Sequence, residues 1–257
     1  MFRDSLRKHI AELYDYEKFG TPIKKAGHYY FFKNDGLQNQ DVLYGTKDIR
    51  SQPDKIIDPN QFSKEGTTAL NSFSFSKDGK YMAFQVAEGG SDWNKIMVLD
   101  LESKTYLKDT IRWVKFSNSA WRGKGFYYSR YPEPSGAEYS QKNEYHAVYF
   151  HSLGTTQDKD ELIYEDQAHS QRNAGVTVTE DNRFLILSTT ESTSGNGLAF
   201  RDLNKKSKEF IWLSKDFKYD YTIVGNSGNT LFLLTNEVDP TCSLMAVDVN
   251  RPGRKHW

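Results

Sequence analysis

Phe75-Ser76-Lys77-Asp78-Gly79-Lys80-Tyr81 reads as the end of one strand, a tight polar turn and the start of another. Glycine takes the positive φ of such a turn, and the aspartate bonds the backbone around it. Beyond the turn the chain alternates, with Met82, Phe84 and Val86 on one face. Residues 96–101 alternate too, setting Met97, Leu99 and Leu101 against Ile96, Val98 and Asp100. A period of two is the mark of a pleated strand.

The same unit returns along the chain. It consists of a strand, a tight turn, an aromatic-rich strand, a second turn and a strand ending in Asp. One copy closes at Val98-Leu99-Asp100-Leu101. A second runs from Val178-Thr179-Glu180-Asp181-Asn182-Arg183-Phe184 to Phe200-Arg201-Asp202-Leu203. A third runs from Val224-Gly225-Asn226-Ser227-Gly228-Asn229-Thr230 to Ala246-Val247-Asp248-Val249. Weaker copies open near Gly27 and Gly123. The turn positions 27, 79, 123, 182 and 228 are therefore 44 to 59 residues apart. That length holds about four short strands, the content of one propeller blade. A β-sandwich also alternates, but has no reason to repeat at this length. The expected fold is all-β: a partial propeller of four to five blades. A closed ring protects its sheet edges, so the count reads as an open arc, expected to be marginally stable or to self-associate.

Residues 5–14 are expected to form a short helix, with Leu6, Ile10 and Leu13 along one face. Lys+Arg and Asp+Glu both number 34, so the formal net charge is zero. Lys24-Lys25 and Lys205-Lys206 read as ordinary surface pairs, and neither nucleic acid nor an anionic membrane is an expected partner. Aromatic residues make up 14% of the chain, while the mean hydropathy is −0.74. Many short strands with polar turns produce that pairing. Cys242 is the single cysteine. It has no internal disulfide partner and is expected to be a quiet structural thiol. No apolar run is long enough to span a membrane, and MFRDSLRKHIAELY lacks the apolar core of a signal peptide.

Catalytic signatures are missing from the sequence. A serine hydrolase elbow needs Gly-x-Ser-x-Gly, and neither Gly89-Gly90-Ser91-Asp92-Trp93 nor Gly225-Asn226-Ser227-Gly228 supplies it. Ser194-Gly195-Asn196-Gly197 reads as a hairpin turn, not as a phosphate loop. His146 and His151 stand five apart and point to opposite faces of a strand, so no metal is expected and surface or barrel-side positions are the default. Asp158, Asp160 and Glu161 read as solvated carboxylates of a polar loop. No cofactor is implied.

An ordered set of short matches gives the chain a family resemblance. They are Leu13-Tyr14-Asp15-Tyr16, Gly36-Leu37-Gln38-Asn39-Gln40, Gly90-Ser91-Asp92-Trp93, Val114-Lys115-Phe116-Ser117 with Ala120-Trp121, and Tyr149-Phe150-His151-Ser152-Leu153-Gly154-Thr155. In this order they resemble the prolyl oligopeptidases over nearly the whole chain. In that family a seven-bladed propeller caps an α/β-hydrolase domain and admits only short, flexible peptides. The resemblance implies that residues 1–18 end the N-terminal segment of the hydrolase domain. Residues 19–257 would then be blades one to four and most of the fifth. The serine, aspartate and histidine that cut after proline would lie beyond Trp257, leaving this chain inactive by itself.

The resemblance also assigns candidate site residues. Phe116 matches an aromatic lining the pocket for the third residue upstream of the cut; by spacing alone it reads as a blade-core aromatic. Asp92 matches an acid at the domain interface, facing a substrate-binding arginine; alone it reads as a turn aspartate bonding its own backbone. Asn173, Thr190 and Thr193 align with pocket positions that carry Met, Arg and Cys in some members. Being smaller and polar here, they imply a broader upstream preference and no thiol regulation. The expected partners are short proline-containing peptides and the hydrolase domain, and the expected compartment is the cytoplasm, with the periplasm left open. Two rivals stand beside this reading. One is a non-catalytic propeller serving as a protein-interaction module. The other is a sugar-processing propeller, which needs buried carboxylates converging on its axis.

Overall fold

The computed structural model describes residues 2–136 and 142–257. It divides into two compact units, 1–110 and 111–257. The first opens with helix α1 (Phe2–Tyr14), which buries no residue. The strands β1 (Lys18–Phe19), β2 (Ile23–Lys25), β3 (His28–Asn34), β4 (Val42–Thr46) and β5 (Asp54–Ile57) form one antiparallel sheet, in which β1 and β2 share an edge of β3. A second sheet runs in simple up-and-down order through β6 (Thr68–Phe75), β7 (Tyr81–Glu88), β8 (Asn94–Asp100) and β9 (Thr105–Val114). The alternation read from the sequence holds, since Met82, Phe84 and Val86 all face one core with Tyr30, Leu43 and Ile57 of the first sheet. Met82 and Phe84 are fully buried, and each such side chain stabilises by about 2–3 kcal/mol.

The second unit contains three sheets. They are β10 (Ala120–Trp121), β11 (Gly125–Arg130), β12 (Ala147–Ser152) and β13 (Glu161–Tyr164); then β14 (Asn173–Val178), β15 (Phe184–Thr190), β16 (Gly197–Asp202) and β17 (Ile211–Ser214); then β18 (Tyr221–Ser227), β19 (Thr230–Thr235) and β20 (Ser243–Asp248). Each is antiparallel with neighbours in chain order. Strand β15 decides the architecture. Its residues Leu185 and Leu187 pack with Tyr127 and Val148 of the preceding sheet. Phe184 and Ile186 pack with Leu231, Leu233 and Val247 of the following one. The middle sheet is therefore apolar on both faces and stacked between two others, whereas a sandwich buries one face of each sheet. Five antiparallel sheets of this kind are the blades of a partial β-propeller.

Each blade of the second unit has two ends. The first-to-second strand turns lie at one end, the turn end, where Gly123, Asn182 and Gly228 carry positive φ. The second-to-third strand hairpins and the crossings between sheets lie at the other, the loop end. Thr179 and Asp181 show the turn chemistry in full. Thr179 Oγ1 donates to Asp181 Oδ1 at 2.7 Å, and the Arg183 amide donates to the same oxygen at 3.1 Å.

Two expectations are corrected. His146 and His151 are not surface residues, being 2% and 0% exposed. Asp160 is not solvated. Its side chain is buried, with Oδ1 2.7 Å from His151 Nδ1 and Oδ2 accepting from the Tyr128 hydroxyl at 2.7 Å. A short-range polar pattern does not reveal that the loop carrying Asp160 folds back over its own sheet. Cys242 is exposed, at a left-handed φ of 73° between β19 and β20.

Candidate functional site

The loop end of the second unit gathers most of the candidate residues. Asn173 opens β14 and Thr190 ends β15, and the two are direct cross-strand partners. Thr193 lies three residues on, exposed in the β15–β16 hairpin. Beside this pair residues 168–172 and Glu191 line a cavity of about 370 Å³. Arg172 organises it. Its Nη1 is 2.9 Å from Asp166 Oδ2, its Nη2 is 2.7 Å from Glu191 Oε1, and its guanidinium lies 4.5 Å from the Phe217 ring. Burial works against the Arg172 charge, but the hydrogen bonds it donates to Glu191 and Asp166 win and raise its pKa. Burial likewise opposes ionisation of Asp166, yet hydrogen bonds from His169 and Arg172 hold its carboxyl below the usual range.

Phe116 reaches the same region through His146. Phe116 is 70% exposed at a φ of +49°, so it is not a blade-core aromatic. The preceding carbonyl, of Lys115, sits 3.1 Å from His146 Nε2, while His146 Nδ1 accepts the Ala174 amide at 3.0 Å. An acceptor Nδ1 and a donor Nε2 define a neutral imidazole. Burial pushes the His146 pKa down to about 4, partly offset by the Lys115 carbonyl. The ring also lies against Tyr131, with centroids 4.4 Å apart. The Tyr131 hydroxyl donates to Asn173 Oδ1, and burial moves its pKa up to about 12. His146 thus ties the Phe116 loop to the first residues of the next blade. Asn196 does the same for the blade that follows. Buried in the hairpin, it accepts from the Tyr221 amide at 2.7 Å and donates to the Tyr221 carbonyl at 3.0 Å.

Four aromatic residues at this end hold left-handed backbone: Trp113 at φ 63°, Phe116 at 49°, Tyr145 at 62° and Phe217 at 53°. Bulky residues avoid that region, and clusters of such strain mark places where side-chain position matters. Asp92 belongs to the first unit, in the β7–β8 hairpin, topologically equivalent to the hairpin that carries Thr193. It is exposed. Among the described residues its carboxylate accepts no hydrogen bond, so it is not the self-bonding turn aspartate that spacing suggests; its carbonyl accepts from Asn94 at 3.0 Å.

Sequence reading missed His146, Tyr131, Arg172 and Phe217. A signal existed for the last, because Ser214-Lys215-Asp216-Phe217-Lys218 copies Ser76-Lys77-Asp78-Gly79-Lys80 with the glycine replaced. Among the described residues no cluster of three or more His, Cys, Asp or Glu side chains could hold a metal. No helix among them is long and apolar enough to cross a membrane.

Stacked antiparallel sheets, most of them four-stranded, with the candidate residues gathered in loops at one end, define a propeller module. Comparison with known proteins narrows the class. The family model of the prolyl oligopeptidase N-terminal β-propeller domain matches residues 1–257, and the chain belongs to that family. The prolyl endopeptidase of Elizabethkingia meningoseptica is 42% identical over 258 residues, covering 100% of this chain and 36% of the relative. Prolyl oligopeptidase A of Amanita bisporigera is 32% identical, covering 97% of this chain and 36% of the relative. Among solved structures, one from a study of inter-domain dynamics in two prolyl endopeptidases superposes with a TM-score of 0.90 at 25% identity, covering 99% of this chain and 38% of that one. Prolyl oligopeptidase B of Galerina marginata, bound to a 25-residue macrocyclization substrate, superposes with a TM-score of 0.85 at 29% identity, covering 95% and 38%. The chain therefore spans little more than a third of the length of these relatives, the region that matches their N-terminal propeller.

Proposed function

We propose that residues 19–257 are the substrate-gating propeller of a serine endopeptidase that cleaves short peptides on the carboxyl side of proline. Its hydrolase domain supplies an activated serine, a histidine base and an aspartate, with an oxyanion hole for the intermediate. Residues 1–18 are the end of that domain's N-terminal segment. The exposed Leu6, Ile10 and Leu13 of α1 support this, being 46%, 47% and 61% accessible along one face. An apolar helix face without cover suits a segment that packs on another domain.

The observation that carries the reading is the loop end of the second unit. Asn173 and Thr190 pair there, Thr193 projects from the adjoining hairpin, and the exposed Phe116 is held by the His146 bridge. An accessible aromatic fixed by strained backbone is suited to contact an upstream residue of a peptide. Asp92 is proposed to face an arginine of the hydrolase domain. The protein is placed in the cytoplasm.

The 257-residue chain should not turn over a proline-containing fluorogenic peptide. Turnover abolished by replacing one of its own serines would overturn the proposal. In a protein joining these residues to the hydrolase domain, Phe116→Ala should raise KM for peptides bearing a large upstream side chain. Because Phe116 is exposed, stability should stay within about 0.5 kcal/mol. An unchanged KM would remove Phe116 from the pocket.

A further inference from the structure

Away from the loop end, a second cavity of about 220 Å³ opens at the turn end of the second unit, lined by residues of its first and middle sheets. Its chemistry is cationic. Arg201, in β16, is only 9% exposed and lines this cavity. Its Nη1 donates to the Lys208 carbonyl at 3.2 Å, and its guanidinium sits 5.3 Å from the Phe210 ring. Among the described residues no carboxylate pairs with it. Arg122, from the β10–β11 turn, donates through Nη2 to the Leu203 carbonyl at 2.9 Å and also lacks a carboxylate. Lys205 and Lys206 line the same space, and neither has an ion pair among the described residues. The two acids on the wall are already engaged, Glu161 by Lys208 and Asp202 by Arg183.

Two other partly buried arginines of this unit differ from Arg201. Arg172 and Arg183 each meet a carboxylate. An arginine that is nine-tenths buried beside a second arginine and two lysines lacks a counterion of its own among the described residues. Guanidinium forks match phosphate oxygens in pairs. The rest of the wall includes Phe150 and Ile163, which are apolar. At about 30 Å³ per water-sized volume, the cavity holds a phosphate group and the first atoms of its organic portion, the remainder extending over the open mouth.

We propose that this cavity is a binding site for a phosphate monoester, its phosphate held by Arg201, Arg122 and the Lys205-Lys206 pair and its organic portion lying on Phe150 and Ile163. The site is separate from the peptide path of the proposed function and does not depend on it.

Calorimetric titration of the 257-residue chain at constant ionic strength tests it, with phenyl phosphate as probe and benzoate as the singly charged control. Phenyl phosphate should bind saturably, and benzoate about ten-fold or more weakly. Arg201→Met keeps the buried stem and should weaken phenyl phosphate about ten-fold or more. The double variant Lys205→Ala, Lys206→Ala alters only turn residues, guarding against misfolding, and should weaken it about five-fold. The proposal is overturned by non-saturable binding, by benzoate binding as tightly, or by a double variant that binds like the parent.

Discussion

Ser76-Lys77-Asp78-Gly79-Lys80 and Ser214-Lys215-Asp216-Phe217-Lys218 build one turn with one residue exchanged. In the first, Ser76 Oγ donates to Asp78 Oδ1 at 2.7 Å and the Lys80 amide donates to that oxygen at 3.1 Å. In the second the equivalent distances are 3.0 and 3.2 Å. The fourth position is left-handed in both, at φ 71° for Gly79 and 53° for Phe217. The first turn joins two strands of a blade, and glycine meets its backbone demand without strain. The second leads out of β17 at the loop end. There a phenylalanine accepts about 1–2 kcal/mol of backbone strain and places its ring under Arg172. Turns that only reverse the chain use the residue suited to the backbone. Turns at the candidate site use the residue whose side chain is wanted there.

The largest effect should come from the hairpin that leans on Phe217. Gly195 has a φ of +74°, and a β-carbon there would lie 1.9 Å from the Phe217 carbonyl oxygen. Gly195→Ala should destabilise by more than about 2 kcal/mol in urea unfolding. Gly228→Ala, with φ +53° and open space around it, should cost only about 1 kcal/mol. Equal losses would break the distinction between the two ends.

Acidification should follow closely in size. The folded state holds the His146 pKa near 4, below its ordinary 6.5. The unfolded chain therefore binds the proton more readily, and this contribution is complete above about pH 6.5. It is lost as the pH falls toward 4, by about 3 kcal/mol. Urea midpoints measured across that window should fall with pH more steeply in the parent than in His146→Phe. Parallel curves would remove His146 from its role at the loop end.

Smaller again, Asp78→Ala and Asp216→Ala should each cost about 1 kcal/mol, since each aspartate satisfies a backbone amide and a serine hydroxyl. A null effect at 216 alone would mean that the second turn is held by its packing. The smallest change is expected for Phe217→Gly. Relief of strain and loss of the contact with Arg172 should nearly cancel, leaving stability within about 0.5 kcal/mol. A clear gain in stability would show that the ring contributes little to holding Arg172.

Legibility followed the range of the interactions. The turn at 76–81 and the alternation of 81–86 were readable because each depends on neighbours within a few residues. The Phe184-Leu185-Ile186-Leu187 run is continuous and apolar in the sequence, but the cover on each of its two faces comes from different sheets and shows only in the fold. Asn173, Thr190 and Thr193 were identified through resemblance, and β14–β15 pairing places the first two side by side. His146 was read as a surface or barrel-side histidine because nothing local reveals that it touches residues 115 and 174. Lys205-Lys206 read as an ordinary pair because Arg122 is 83 residues earlier in the chain.

What the amino-acid order determined alone was the blade: strand period, turn residues and the repeat of about four strands, all set by backbone conformation and side-chain alternation at short range. Tertiary structure alone decided which polar groups are buried and what faces them. His146 acquires its partners when sheets stack, and Asp160 when its loop folds back over its own sheet, because burial and charge pairing depend on distances in space that sequence separation does not encode.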